Sequence, residues 1–218
     1  MGTLSMLRAA GRSGHPGLLF GELLRRLWST RRWYGYERSL SLPLEAPPPK
    51  RPVVIREWRP EDAAVLLNPA DARTPAAAKD RLVRLAMLGA QVPTCYVAVT
   101  EDGQPCHMQW MIGADGNERV RACTRGGLPP VDEKTVLLEN AFTHEAHRRQ
   151  GIEKWIVKHL LESARQTGHR RAILFVSDNN ALSRNMVERM GFSPFLLKTD
   201  RSRLFLRRFT FERLPDTE

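Results

Sequence analysis

One stretch, residues 138–155, constrains the possible folds more than any other part of the chain. It begins as an apolar strand, passes through a basic turn that contains Gly151, and continues directly into apolar residues at helical spacing. The first turn of a helix carries backbone N–H groups without partners inside the helix, and a glycine beside them lets an anion approach. The stretch therefore predicts a strand–turn–helix unit with a phosphate-binding point at its turn.

A second unit of the same kind follows. Its strand ends near Phe175, its helix covers residues 181–190, and Gly191 closes the helix. Together the two units resemble the GNAT superfamily of acyltransferases. Residues 148–153 resemble the family's acyl-CoA signature, which is Arg or Gln, two residues of any type, Gly, one residue of any type, and then Gly or Ala.

The downstream unit resembles a second pattern of the same family. Asn180, Ser183 and the pair Gly191–Phe192 match it, and in the family this asparagine and its helix border the pantetheine and adenine side of acyl-CoA. The resemblance also implies that backbone amides of the upstream turn hold the CoA diphosphate. The implied cofactor-binding residues are Thr143, Arg148, Arg149, Gln150, Gly151, Ile152, Glu153, Asn180 and Ser183.

Two positions depart from the family pattern. Glu153 puts a carboxylate where the signature has Gly or Ala, and the helix dipole itself stabilises a carboxylate in a first turn by roughly 0.3–1 kcal/mol. Val187 stands where the family usually has a tyrosine that is thought to protonate the leaving thiolate. The usual general acid is therefore absent, and a catalytically silent GNAT-fold binding module stays open as an alternative.

Glu139 is the candidate catalytic base. It lies on the strand that leads to the phosphate turn, and strand alternation places it on one face with Leu137 and Ala141. A carboxylate in a half-buried cleft can have its pKa raised toward the working pH, although a structural glutamate is the competing interpretation. His144 and His147 lack the spacing of a helical His-Glu-x-x-His motif, so we expect no metal site.

The resemblance covers residues 53–213 as a fold and is specific over residues 136–192. It implies an α/β domain over residues 51–213, with a GNAT-like mixed, mostly antiparallel central sheet flanked by helices. Periodicity and turn signals predict helices over residues 60–67, 76–88, 151–167 and 181–190, and strands over residues 53–58, 95–100, 106–112, 119–123, 136–143, 172–176, 192–198 and 203–211.

Residues 1–50 differ in character and are predicted to be a basic extension that ends in a Pro-rich linker. Within it, leucines at helical spacing beside Arg25 and Arg26 predict a short amphipathic helix over residues 17–29. Three roles stay open for this helix. It could pack on its own domain, make peripheral contact with anionic lipid or a partner, or act as a mitochondrial presequence.

The composition restricts the partners and the compartment. A formal net charge of +10 favours an anionic partner, but the Lys and Arg residues are scattered and no recognition motif for nucleic acid accompanies them. The three cysteines form no Cys-x-x-Cys pair, which fits a reducing, cytoplasmic environment. Nothing in the sequence approaches the roughly 18 consecutive apolar residues of a membrane span.

The predicted function is N-acyl transfer from acetyl-CoA or another acyl-CoA to an amine of a small molecule or protein, by direct attack on the thioester. An acyl-carrier-protein-dependent N-acyltransferase is a further alternative. Carrier-bound pantetheine has one phosphodiester, needs a less complete anion site, and would come with an acidic carrier surface that the net charge of +10 attracts. The sequence predicts neither the acceptor, nor the acyl length, nor the oligomeric state.

Overall fold

The structure is a computed structural model in which residues 27–215 are described. The strands of this part are β1 (Trp28–Ser39), β2 (Val53–Glu57), β3 (Cys95–Thr100), β4 (Pro105–Ile112), β5 (Thr135–Thr143), β6 (Arg171–Ser177), β7 (Ser193–Arg203) and β8 (Leu206–Arg213). Its α-helices are α1 (Asp62–Leu66), α2 (Pro75–Gly89), α3 (Asn117–Thr124), α4 (Ile152–Gln166) and α5 (Ala181–Arg189).

All eight strands form one sheet in the order β2-β3-β4-β5-β6-β1-β7-β8. Neighbouring strands are antiparallel except for β5 and β6, which run parallel. The connection between these two strands contains α4, as a parallel pair requires a crossover. The expected GNAT-like α/β fold with a mixed, mostly antiparallel sheet is therefore confirmed.

Alternate residues of the central strands enter two separate hydrophobic clusters. Leu138 of β5 and Leu174 of β6 pack in the cluster that contains the apolar residues of α4 and α5. Their neighbours Leu137 and Ile173 pack in the other cluster, with residues of α1, α2 and α3. The sheet thus lies between two helical layers, as period-two alternation in strands covered on both faces requires.

Local signals explain where the longer helices begin and end. Helix α2 starts at Pro75, a residue tolerated in a first turn, and the Thr74 hydroxyl accepts a hydrogen bond from the backbone N–H of Ala77 at 3.2 Å. Helix α4 buries one apolar stripe and is followed by Gly168, which has a left-handed φ of 87°. These are the features from which both helices were predictable.

One predicted strand is a helix. The run over residues 119–123 forms most of α3, and only Val120 of this helix is buried. The segment is too short for period-two and helical spacing to be distinguished in the sequence. The helix is closed by Arg125, which has a left-handed φ of 58° and whose backbone N–H donates to the carbonyl of Arg121.

The predicted N-terminal extension also needs correction. Of the helix predicted over residues 17–29, residues 17–26 lie outside the described part of the chain, and Trp28 begins a strand instead of ending a helix. Strand β1 pairs with β6 on one side and with β7 on the other, so it is a central strand of the sheet. Its aromatic residues favour this environment, since Tyr36 is almost fully buried.

Candidate functional site

The parallel strands β5 and β6 pair only along their first halves. Thr135–Leu138 lies beside Arg171–Leu174, and the pairing stops there. At Asn140 the backbone of β5 has a positive φ of 54°, and the pairing of β5 with β4 shifts register between Met108 and Trp110. Such a bulge bends a strand away from its neighbour. The second halves of β5 and β6 therefore diverge and open a cleft in the middle of the sheet.

A buried arginine of α2 holds this bulge. Arg84 donates through Nε to the carbonyl oxygen of Asn140 at 3.2 Å and through a terminal nitrogen to the carbonyl oxygen of Ala141 at 2.9 Å. Its guanidinium carbon lies 4.9 Å from the ring centroid of Phe142. Both carbonyl groups lie beyond the part of β5 that pairs with β6, and a buried carbonyl without a partner is costly. Arg84 therefore stabilises the bent strand.

The cleft contains a cavity of about 210 Å³ between β4, β5, β6, α4 and α5. The cavity combines apolar walls with two carboxyl groups, those of Glu139 and Glu153, and with the amide groups of Gln109 and Asn180. The residues that line it are Gln109, Leu138, Glu139, Asn140, Ala141, Glu153, Val157, Leu174, Phe175, Val176, Ser177, Asn180, Ser183, Met186, Val187 and Met190.

The predicted phosphate turn precedes α4. Gly151 occupies the N-cap position with a left-handed φ of 83°, and no side chain caps the helix. A Cβ at this position would meet only the Cα of Pro49, at 3.6 Å, so the backbone conformation and not lack of space favours glycine. The N–H groups of the first turn have neither intrahelical partners nor a capping side chain, which makes the turn suitable for an anion.

Basic groups surround this turn. Arg148 carries its guanidinium 3.3 Å from the carboxylate of Glu145, and more than half of its side chain is exposed. Arg149 follows with a positive φ of 60°. The backbone N–H of Lys50 donates to the carbonyl oxygen of Gln150 at 2.9 Å, which places the end of the Pro-rich segment beside the turn. The local charge is therefore positive where an anion would lie.

Several of the nine predicted cofactor-binding residues have side chains engaged within the protein, among them Gln150, whose Nε2 donates to the carbonyl oxygen of Ala146 at 3.3 Å. The hydroxyl oxygen of Thr143 lies 2.8 Å from Nδ1 of His107, and the side chain of Ile152 is buried in the core. Only the backbone groups of Thr143 and Ile152 remain for a ligand. Asn180 caps α5 by accepting a hydrogen bond from the backbone N–H of Ser183 at 3.1 Å, and both residues line the cleft.

Glu139 lies at the point where the strands separate. Burial raises the pKa of its carboxyl group, while the positive charges of Lys198 and Arg84 act in the opposite direction. Its Oε1 atom lies 3.4 Å from the side-chain nitrogen of Asn140. Its Oε2 atom is buried and accepts no hydrogen bond from any described residue. A buried oxygen without a hydrogen bond costs free energy unless a ligand or water bonds to it. The Oε2 atom can therefore accept a hydrogen bond from a substrate.

Glu153, the residue that departs from the family signature, also faces the cleft from the first turn of α4. Burial raises the pKa of its carboxyl group, and the charge of Arg148 opposes this shift. Val187 is buried and lines the cleft one helical turn after Ser183. Among the described residues that line the cavity there is no tyrosine, histidine, lysine or cysteine.

Beside Glu139, an aromatic cage encloses Lys198 of β7. Its Nζ atom lies 4.7 Å from the ring centroid of Trp33, 5.7 Å from that of Phe175 and 5.6 Å from that of Phe209. Burial lowers the pKa of Lys198 to about 8, although the nearby carboxylate of Glu139 favours the charged form. The rings stabilise a cation that would otherwise be poorly solvated.

Sequence reasoning missed Lys198 and Gln109 as members of the site. The cage is assembled from β1, β6, β7 and β8, so no short segment of the sequence contains its pattern. Gln109 lies on β4 opposite the bulge, and its Oε1 atom is buried without a partner among the described residues. Only the register between strands identifies these two residues, and no local motif does.

The histidines form no evident metal centre. The ring centroids of His144 and His147 are 6.0 Å apart, and residues 27–215 contain no group of three or more His, Cys, Asp or Glu side chains that could hold a metal ion. His107 is fully buried in β4, and burial lowers its pKa to about 3, so its ring is neutral.

In the part of the chain that the structure describes, no helix is long and apolar enough to span a bilayer.

Comparison with known proteins agrees with this geometry. A sequence model of the acetyltransferase (GNAT) family matches residues 78–192, which include both predicted motifs. No curated protein matches the chain in sequence. Solved structures match it at low identity, so these matches show the fold alone.

Three of these structures have a GNAT-related description. A GCN5-related N-acetyltransferase from Sphaerobacter thermophilus is 14% identical with a TM-score of 0.51, and the match covers 85% of this chain and 56% of that one. A GNAT-family putative acetyltransferase from Novosphingobium aromaticivorans is 14% identical with a TM-score of 0.50, covering 79% and 64%. A glucosamine N-acetyltransferase region of a fungal multi-domain β-N-acetylglucosaminidase is 14% identical with a TM-score of 0.55, covering 89% and 22%. The chain spans less than two thirds of each.

The bulge at Asn140 yields a test of the cleft. A β-branched side chain is strongly disfavoured at positive φ, so Asn140→Val should lower the free energy of unfolding by about 1–2 kcal/mol or more. Asn140→Gly, which has no Cβ, should stay within about 1 kcal/mol of the parent chain. Urea denaturation measures both values. Equal stability of the Val and Gly variants would show that β5 does not need its left-handed residue.

Proposed function

Since the chain belongs to the GNAT acetyltransferase family, we propose that it is an N-acyltransferase that moves an acetyl or longer acyl group from acyl-CoA to an amine. One observation carries the proposal. The cleft between the diverging strands holds the carboxyl group of Glu139, whose buried Oε2 accepts no hydrogen bond, and it is lined by Glu153 in the first turn of α4, the helix whose N-terminal amides have no capping side chain. An anionic cofactor and an amine are the two ligands that these groups suit.

The donor would bind with its diphosphate at the Gly151 turn. Helix amides, Arg148 and Arg149 supply positive potential there, and the acyl-pantetheine arm would extend along the cleft toward Glu139. Glu153 opposes this only when it is ionised. Burial raises the pKa of its carboxyl group and so makes its protonation easier, and a protonated carboxyl group would not repel the diphosphate. Family membership supports acetyl-CoA as the donor.

Glu139 would act as the general base. As the lone pair of the amine attacks the thioester carbonyl carbon, the amine proton passes to the carboxylate of Glu139, directly or through one water. The carbon–sulfur bond then breaks, which releases the acylated amine and the thiolate. A base requires an ionised carboxylate. The cation of Lys198 favours that form against burial, so we assign Lys198 a positioning role through charge.

The leaving thiolate lacks the family's usual tyrosine. Val187 occupies that place, and the hydroxyl group of Ser183 lies one turn earlier on the same helix. We propose that Ser183 or a water molecule donates a hydrogen bond to the departing sulfur. The thiol of CoA is acidic enough to leave without full protonation, because its pKa is comparable with that of cysteine, about 8.5.

One residue supports each of two alternative functions. Val187 is what a catalytically silent acyl-CoA-binding module would carry, and Glu153 in the anion site is what a user of acyl-carrier protein would tolerate. The acceptor, a small-molecule or protein amine, follows from the family only in general terms.

The cysteines bear on the compartment. Cys95, Cys106 and Cys123 are all free thiols, which supports the proposed cytoplasmic environment.

Binding of CoA tests the donor site. CoA or acetyl-CoA at about 100 times its Kd should stabilise the chain by about 2.7 kcal/mol, a rise in melting temperature of several degrees. Gly151→Asp should abolish the rise because it places a negative side chain in the phosphate path. Gly168→Asp is the matched control, since Gly168 also has a left-handed φ of 87° but nothing lies within 4 Å of its Cβ position.

ATP is the ligand control for that experiment. A folded chain whose melting temperature does not respond to millimolar CoA would exclude the acyl-CoA proposal. If free CoA has no effect but acidic acyl-carrier protein binds in a salt-sensitive manner, the carrier-dependent alternative is correct instead.

Substitution of Glu139 tests catalysis apart from binding. Glu139→Gln should lower kcat/KM for a panel of primary amines by about 10²–10⁴, with the CoA-induced stabilisation unchanged. Release of the CoA thiol from acetyl-CoA measures turnover. Glu162→Gln on the exposed face of α4 is the control. A loss below about threefold would make Glu139 a structural residue, and no turnover by the parent chain with any amine would favour the silent module.

The pH profile tests the role of Lys198. A nearby cation favours the ionised carboxylate, so it lowers the pKa of Glu139 relative to burial alone. Removing the cation in Lys198→Met should therefore move the acidic limb of kcat/KM to higher pH, whereas Lys198→Arg should leave it near the parent position. An unchanged limb in the Met variant would show that Lys198 has no electrostatic influence on the base.

A further inference from the structure

The turn between β7 and β8 has residue types that are unusual for a β-hairpin turn. Its two residues, Leu204 and Phe205, have positive φ values of 46° and 68°. Turns of this kind favour Asn-Gly, because side chains other than those of Gly, Asn and Asp are strained at positive φ. Leu and Phe gain no burial in return, since they are 75% and 56% exposed. Local stability does not explain these residues, so a function outside the fold is indicated.

More apolar surface surrounds this turn. Leu206 directly follows it and is 79% exposed, and Trp28 at the start of β1 is 73% exposed. Trp28 pairs with Arg203, whose guanidinium carbon lies 3.7 Å from the indole centroid. A tryptophan with a stacked arginine at the edge of an apolar tip is typical of surfaces that lie at a membrane interface.

Strand alternation adds positive charge on one face beside this tip. Residues directly opposite each other in the sheet point to the same face, and the register pairs Thr30 with Arg201, Arg201 with Arg208, and Arg203 with Leu206. Trp28 and Arg32 lie on that same face of β1. We define the hairpin surface as Trp28, Arg32, Arg201, Arg203, Leu204, Phe205, Leu206 and Arg208.

This face is not covered in the described part of the chain. Helix α5 packs on the same side of the sheet, beside the second half of β1. There, the hydroxyl group of Tyr36 donates to Glu188 at 2.8 Å, and the guanidinium carbon of Arg184 lies 4.6 Å from the ring centroid of Tyr34. Arg32, Arg201 and Arg208 are exposed, and none forms an ion pair with a described residue. Residues 198–213 contain six basic and two acidic residues, so the hairpin is strongly positive.

We propose that the hairpin surface binds an anionic phospholipid bilayer, with Leu204, Phe205 and Leu206 inserted among the lipids and the arginines at the phosphate groups. Apolar residues at the interface and cations near anionic headgroups each add to such binding, and every arginine raises the affinity by about fivefold. The chain enters β1 from Leu27, whose carbonyl accepts the N–H of Leu204 at 2.9 Å. Leu27 therefore lies next to this turn, and the residues that precede it in the sequence are rich in arginine and leucine.

Other occupants fit less well. Two copies of this chain would bring identical sets of arginines together, and like charges oppose such a symmetric contact. A nucleic acid would satisfy the arginines but offers nothing to aliphatic side chains at the apex of a turn. A bilayer offers phosphate groups to the arginines and hydrocarbon chains to the apolar side chains. This proposal stands whether or not the chain transfers acyl groups.

Vesicle co-sedimentation of the full chain tests the proposal. Vesicles of phosphatidylcholine with about 30% phosphatidylglycerol should bind the protein, whereas pure phosphatidylcholine vesicles should bind it weakly, and salt should weaken the binding as it screens the arginines. Absence of binding to the anionic vesicles at low salt overturns the proposal.

Three sets of variants identify the surface. Leu204→Asn with Phe205→Gly introduces favoured turn residues, so the melting temperature should be unchanged or higher while vesicle affinity falls by roughly tenfold or more. Arg201→Glu with Arg208→Glu should lower affinity by about 25-fold or more, at about fivefold for each arginine lost. Arg121→Glu with Arg165→Glu is the control for the change in charge. Val54→Ser is the control for the loss of an exposed apolar side chain, since Val54 lies on the opposite edge strand and is 65% exposed.

Each of the following outcomes either supports or overturns membrane binding by the hairpin surface. Loss of binding in the hairpin variants alone supports the proposal. Equal loss in the Arg121 and Arg165 control shows that only net charge matters and overturns it. Tighter binding to a single-stranded oligonucleotide that competes with vesicles assigns the surface to nucleic acid. Concentration-dependent dimerisation that the turn variant abolishes assigns it to a second copy of the chain.

Discussion

The cleft between β5 and β6 depends on one contact, the hydrogen bonds from Arg84 of α2 to the backbone carbonyl groups of Asn140 and Ala141 in β5. A straight β5 would continue beside β6 and close the sheet. The left-handed residue turns β5 away, and the guanidinium replaces the strand partner that its carbonyl groups lose. A helix on one side of the sheet thereby keeps open a cleft that α4 and α5 line from the other side.

The cleft and the turn that precedes α4 carry groups of opposite charge. At the Gly151 turn, backbone amides and arginines create a positive potential. At the point of divergence, Glu139 offers a carboxylate whose burial is compensated by Lys198 in its aromatic cage. Each group is expensive to bury alone, and the three rings and the facing charges reduce that cost.

Local patterns were enough to predict the parts of the fold that are encoded locally. The strand, glycine turn and helix around Gly151 and the unit around Asn180 were predicted because a few neighbouring residues determine each of them. The central place of β1 and the cage around Lys198 were not, because strand pairing across the chain determines them. The helical state of α3 was missed because the segment is too short to show its period. The bulge at Asn140 shares this limit, since its cause, Arg84, is distant in sequence.

Strand alternation also separates the two uses of positive charge in this molecule. On β7, Lys198 and Asp200 point to one face, where Asp200 pairs with Arg31 and Arg207 and Lys198 lies beside Glu139. Arg201 and Arg203 point to the other face, without carboxylates opposite them. The net charge of +10 is therefore not one uniform field. Part of it is neutralised or serves the cleft, and the arginines of the hairpin surface remain to act on a partner outside the protein.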